Sequence, residues 1–408
     1  MSVPMSRRGV IAAGVGAAAG VVLPGTAAHA TGDPRAVRFT LDAETLDGGE
    51  QITSVTLETA GLGPFDATGL TPATFTVHAT AVSPLPGVTV TGYDLDREVT
   101  GVHLDREGNI VLELRHGEGT TGSATLGYVL AGGRNVRFDL TYTITQKTPL
   151  PRRRGKPLTI TRFTQGRLSN PEVDAFSYHS SSSGLKYRLF EPGRGRRPLI
   201  VWLHGGGEGA LPSANYYDNE TTLRANRGAL GFATREAQKI FGGAYVVAPQ
   251  STSFWIEDGP RFAPLIREVM QEVVRRHDVD RDRIYVAGCS NGGYMSLKMT
   301  TTYPEEFAAS VPICGVVAGS PPLITDSELR AITTPTWLVT SLDDTTVNPQ
   351  ANTVHASELI PRAKVTLYDR VVWNGYPFPG HWSWIYVARN DPSTNGTHIW
   401  QWMARQRA

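Results

Sequence analysis

The chain has 408 residues but only two cysteines, Cys289 and Cys314. That is too few for a disulfide framework, and their spacing fits no zinc site. Charge of either sign is also nearly absent in the balance: the net formal charge is +1. Bulk electrostatics therefore give no footing for a nucleic-acid or anionic-membrane partner. There is no phosphate-binding loop and no dinucleotide fingerprint. Nor is there a run of about 20 strongly apolar residues, the length a membrane span needs.

The richest apolar stretch, Gly9 to Ala28, is built from glycine and alanine. It follows Ser6-Arg7-Arg8-Gly9-Val10-Ile11, a twin-arginine pattern, and leads to Ala28-His29-Ala30, a small-x-small cleavage signal. Residues 1–30 are thus expected to be a twin-arginine signal peptide, which puts the mature protein outside the cytoplasm and leaves it no membrane attachment.

Residues 36–148 carry the alternation of half-buried strands. Val37-Arg38-Phe39-Thr40-Leu41, Thr74-Phe75-Thr76-Val77-His78, Val88-Thr89-Val90-Thr91 and Val136 to Tyr142 each switch between apolar and polar, and Ile110 to Leu114 is strand-like. Short strands between Gly, Pro and Asp turns predict an all-β sandwich. Pro149 to Pro157, with prolines at its ends and Arg152-Arg153-Arg154 inside, reads as a solvated linker.

From residue 158 to 408 strands and helices alternate. Pro198-Leu199-Ile200-Val201-Trp202-Leu203 is continuously apolar, as a strand buried on both faces should be, and Ala244 to Ala248 and Ile284 to Ala287 behave alike. Leu265, Ile266, Val269, Met270, Val273 and Val274 recur at helical spacing. The grammar predicts an α/β fold with a doubly wound, mostly parallel sheet.

Three motifs fall at the ends of those strands. Gly288-Cys289-Ser290-Asn291-Gly292 sits between a strand and a helix-compatible run, the setting of a nucleophile elbow with Ser290 as nucleophile. His204-Gly205-Gly206-Gly207 follows an earlier strand, and glycines there let backbone N–H groups approach a developing oxyanion. Gly206 and Asn291 are the expected donors, with His204 ordering the loop. Asp344 in Leu342-Asp343-Asp344-Thr345 is the expected acid, preferred to Asp343, and His381 in Gly380-His381-Trp382 is the expected base, preferred to His355 and His398. Trp382 and Trp255 are candidate walls of a substrate pocket. Cys289 and Cys314, at the ends of neighbouring strands, are either a disulfide or two buried thiols.

On these motifs, residues 158–408 resemble the polyhydroxybutyrate depolymerase and feruloyl-esterase-like branch of the α/β-hydrolases, near the prolyl oligopeptidase-type esterases. Residues 36–148 resemble the immunoglobulin-like domain that precedes the hydrolase in some bacterial esterases. The resemblance implies a serine carboxylesterase working through an acyl-enzyme, with a small-molecule or polymeric ester as substrate and no cofactor or metal. A prolyl oligopeptidase-type peptidase and a polyester depolymerase are the alternatives. The β-domain is expected to supply no catalytic group; bracing the hydrolase, shaping one wall of its cleft, or assembly into a homo-oligomer are the roles left to it.

Overall fold

The computed structural model describes residues 36–130 and 132–408. The expected twin-arginine segment lies outside them. Strand β1 (Ala36–Leu46) buries Val37, Phe39, Leu41 and Ala43 and turns the residues between them outward. It is followed by β2 (Gly49–Leu57), β3 (Phe75–Val82), β4 (Leu95–Arg97), β5 (Val99–Leu104), β6 (Ile110–Leu114), β7 (Leu126–Val129), β8 (Arg134–Arg137), β9 (Asp139–Gln146) and β10 (Arg162–Ser169). One sheet runs β10-β1-β2-β6-β5, a second runs β4-β3-β9, and β7 and β8 form a hairpin of their own. The two larger sheets share a core of Phe39, Ile52, Val55 and Leu112 against Phe75, Val77, Tyr142 and Ile144.

Four expectations need correction. Residues 162–169 do not open the hydrolase: β10 lies parallel to β1, with Ala36 opposite Arg162 and Asp42 opposite Ser169. The stretch 149–157 is not a free linker either, because Leu150 is fully buried and bridges to Leu158. The apolar residues on either side of the arginines fasten it to the β core. Val88 to Thr91 form no strand; Pro84 and Pro86 just upstream lack the N–H a ladder requires. The stretch from Val136 to Tyr142 is two strands, divided at Phe138, whose N–H turns to the Thr125 carbonyl.

The second unit is one eight-stranded sheet, built from β11 (Phe176–Ser180), β12 (Lys186–Phe190), β13 (Arg197–Leu203), β14 (Tyr245–Pro249), β15 (Val279–Cys289), β16 (Ala309–Ile313), β17 (Trp337–Ser341) and β18 (Lys364–Tyr368). Its order is β11-β12-β14-β13-β15-β16-β17-β18. The first two strands pair antiparallel and the other six run parallel. Leu199 to Leu203 are at most 1% exposed, which is why this segment reads as an unbroken apolar run. The helix Gly259–Arg276 covers one face with Phe262, Ile266, Val269 and Val273. Trp202, Phe232, Tyr285 and Trp400 fill the other.

The two units meet through buried charge. Glu50 is fully buried and accepts from Asn170 Nδ2 at 2.7 Å, from Thr125 Oγ1 at 2.6 Å, and from the Arg224 guanidinium. Arg224 also pairs with Glu220. Farther along the seam Arg389 grips Asp47 with two hydrogen bonds, of 3.0 and 2.9 Å. Every one of these partners is needed, since a buried charge left alone is costly.

Candidate active site

In a parallel sheet the loops at the carboxyl ends of the central strands gather at one edge, and the site is assembled there. Ser290 stands between β15 and the helix Asn291–Thr302 with φ 55° and ψ −115°. Such a backbone is strained for a residue with a side chain and is characteristic of an elbow. Its N–H is held by the Ile313 carbonyl at 2.8 Å. Glycine on each side is obligatory: a Cβ on Gly292 would lie 1.8 Å from the Leu203 carbonyl oxygen, and one on Gly288 would lie 2.5 Å from the Gly292 oxygen. The helix is thereby pressed against β13, which lifts Ser290 above the sheet.

Asp344 and His381 arrive from the loops after β17 and β18. His381 Nδ1 donates to Asp344 Oδ2 at 2.8 Å, and the other carboxylate oxygen accepts the N–H groups of Thr346 (2.8 Å) and Val347 (2.9 Å). Asp343 is exposed and bonds Ser341 instead. His355 pairs with Asp326, and His398 with the Asn390 carbonyl. Burial disfavours the His381 cation, but the neighbouring Cys314 sulfur and the Asp344 carboxylate outweigh it and raise its pKa above the ordinary imidazole value. With Nδ1 committed to Asp344, Nε2 is the nitrogen free to exchange a proton.

The glycine loop after β13 is fixed by its neighbours. Burial drives His204 down to about 3, so the ring is neutral. Its Nδ1 donates to the Gly205 carbonyl at 2.6 Å, and Nε2 accepts the Ser251 N–H at 2.9 Å. Gln250 Nε2 donates to the Glu208 carbonyl at 2.9 Å. Asn291 is the first residue of its helix, so its N–H has no acceptor within the helix and is available to a ligand.

Ser290, His381, Gly206, Asn291 and Trp382 all line one cavity of ≈ 630 Å³. Trp255 does not. It is fully buried, packs tilted against His204 with ring centroids 4.8 Å apart, and donates its indole N–H to the His204 carbonyl. Its neighbour Phe254 takes the wall position, with Trp384 opposite. Trp255 is thus a support for the loop: it opens the helical turn Trp255–Glu257, while Phe254, the extended residue before it, lines the cavity.

Other wall residues had no local signal. Leu126, Tyr128 and Asn135 come from the β7–β8 hairpin of the N-terminal unit, and Glu208 closes the glycine loop. Only tertiary packing brings them there. Burial pushes the Glu208 carboxyl up to about 7; Asn135 Nδ2 donates to its Oε1 at 3.1 Å, while Oε2 is buried without a partner.

The two cysteines are separate buried thiols. The register places Ile313, not Cys314, beside Cys289; Cys314 is the first residue beyond that strand, with φ 40°. There its sulfur, with Asp344 and His381, forms the one cluster of metal-ligand type among the described residues, the three ligand atoms lying within 4.8 Å of one another. The Asp344 oxygens in it are already engaged by His381, Thr346 and Val347.

Residues 266–319, which hold the elbow, match the prolyl oligopeptidase family. Over 131 residues the chain is 34% identical to poly(3-hydroxyalkanoate) depolymerase C of Paucimonas lemoignei, covering 29% of this chain and 28% of that one. Over 157 residues it is 33% identical to acetylxylan esterase A of Emericella nidulans, covering 38% of this chain and 49% of that one. The chain therefore spans less than half the length of either relative. The crystal structure of a thermostable esterase superposes with a TM-score of 0.73 at 23% identity, over 91% of this chain and 99% of that one. It shares the fold over nearly the whole described length.

Proposed function

We propose that this chain, which has the α/β-hydrolase fold of the prolyl oligopeptidase-type esterases, is an exported serine carboxylesterase. The observation that carries the reading is the Asp344–His381 pair at 2.8 Å on the cavity that Ser290, Gly206 and Asn291 also line. His381 Nε2 takes the Ser290 proton as Oγ attacks the ester carbonyl. The N–H groups of Gly206 and Asn291 hold the oxyanion. His381 then returns the proton to the leaving alcohol, and water repeats the sequence on the acyl-enzyme. Asp344 fixes the ring and stabilises its cationic form.

Ester chemistry is favoured over peptide chemistry by the likeness to a poly(3-hydroxyalkanoate) depolymerase and an acetylxylan esterase. Aromatic walls at Phe254, Trp382 and Trp384 suit an apolar acyl or alcohol group. Export rests on Arg7-Arg8 and the segment after it. We also read the N-terminal β-region as an immunoglobulin-like sandwich. The test compares p-nitrophenyl acetate with p-nitroanilide substrates and labels the protein with a fluorophosphonate. Ester turnover and labelling, both lost in Ser290→Ala, are the expected results. Anilide cleavage outpacing ester cleavage, or label retained in Ser290→Ala, would overturn the proposal.

A further inference from the structure

The N-terminal unit does more than line the cavity; it takes hold of the glycine loop. Arg134 of β8 is 2% exposed. Its Nε–H is shared between the Gly209 and Ala210 carbonyls at 3.0 Å each, and its guanidinium lies over the Phe254 ring, 3.4 Å from the centroid. Phe254 in turn comes within 3.2 Å of where a Cβ on Gly206 would sit. The next residue along the strand, Asn135, points the other way and donates to Glu208 Oε1 at 3.1 Å. Its Nδ2 lies 2.8 Å from the place a Cβ would take on Gly207. Two adjacent residues therefore grip the loop from both sides, and Arg134 ties it to the Phe254 loop as well.

The hydrolase's own holds act on the early part of the loop, through His204, on the Glu208 carbonyl, and on the Ala210 N–H, which donates to the Ser251 carbonyl at 2.9 Å. The Gly209 and Ala210 carbonyls are held by the other unit. A run of glycines keeps wide backbone freedom unless something removes it. An oxyanion donor works only when it is already aimed at the charge that forms, and removal of one such donor costs about 100- to 1,000-fold in kcat.

We infer, on the esterase reading above, that Arg134 and Asn135 are positioning residues for the reaction, by which the N-terminal unit holds the Gly206 N–H in its oxyanion-binding place. Neither touches the reacting atoms. Their loss acts on the transition state rather than on substrate binding, so kcat falls while KM stays nearly level. It also weakens a boronic acid, whose tetrahedral serine adduct carries the oxyanion, but not a planar ligand of the same pocket.

The experiment uses the full chain and p-nitrophenyl acetate, with phenylboronic acid as the tetrahedral probe and benzamide as the planar one. Asn135→Ala removes only a half-buried amide and is expected to fold. It should lower kcat roughly 10-fold or more, a fraction of a full donor's worth. KM and benzamide inhibition should stay within about twofold, and the phenylboronic acid Ki should rise in parallel with the kcat loss. Arg134→Lys keeps the charge but not the flat guanidinium, and should show the same pattern. Gly207→Ala should lower kcat on its own and add little to Asn135→Ala, because the clash it creates is with the deleted amide. The inference is overturned if Asn135→Ala keeps kcat and boronate affinity within twofold of wild type, or if boronate and benzamide weaken equally. If the wild-type protein neither turns over the ester nor takes a fluorophosphonate, the esterase reading itself has failed.

Discussion

Replacing Glu208 with glutamine should abolish a pH dependence of stability that the wild-type protein carries in its cavity wall. Glu208 is 6% exposed, one carboxylate oxygen has no partner, and burial raises its pKa from 4.5 to about 7. The opposing influences are the Gly205 N–H, the Asn135 amide and the charges of Arg134 and His381, which favour ionisation without prevailing. Between those two values the folded protein binds the proton and the unfolded chain does not. Stability is therefore full below about pH 4.5, declines as pH rises through about 7, and levels off above it. A displacement of about 2.5 units corresponds to roughly 3 kcal/mol. With an unfolding entropy of roughly 0.8 kcal/mol/K for a chain of this size, that is about 4 °C in Tm. Glutamine has no charge to lose, and its buried amide adds an offset that does not vary with pH. The assay is calorimetry of wild type and Glu208→Gln at unit intervals from about pH 5 to 9, read as the Tm difference between them. Wild type should lose about 3 °C relative to the variant across that range, since part of the loss already lies below about pH 5. A difference flat within about 1 °C would refute the reasoning.

Asp344→Asn should lower kcat by about 10,000-fold, since an amide cannot hold the imidazole in the working tautomer. Asp343→Asn should change kcat less than threefold, and kinetics on p-nitrophenyl acetate with the reverse ranking would move the acid by one residue. Glu50→Ala leaves Arg224 buried beside Glu220 without its partner from the other unit. It should cost about 3–5 kcal/mol by urea denaturation, and a cost under about 1 kcal/mol would show that water or Glu220 replaces it. A chain starting at Pro157 should fail to give soluble, folded protein. Its β10 would lose β1, and Arg389 would lose Asp47. A monodisperse species by gel filtration with native circular dichroism would contradict this.

The chemistry was legible in the sequence wherever a local backbone requirement dictates residue type. The elbow at Ser290 needs glycines because the chain there passes within contact distance of β13, and the strand before it is apolar because both its faces are covered. Such demands write themselves into neighbouring residues. Asp344 and His381 were readable for a related reason, each standing in a loop just beyond a recognisable strand. Charge balance and cysteine count likewise removed whole classes of function from consideration. Contacts between distant segments leave no such trace. Nothing near residue 150 announces that Leu150 is buried, or that β10 completes the sheet begun by β1. The exchange of Trp255 for Phe254 at the cavity wall turned on the direction of one side chain. Cys289 and Cys314 are unbonded because Ile313 takes the place beside Cys289 and Cys314 lies just past its strand in a left-handed backbone. The grip of Arg134 and Asn135 on the glycine loop joins residues more than 70 positions apart. Sequence pointed to the proposed reacting groups, because each answers to its own strand and turn; only the packing of one unit against the other decided what surrounds them.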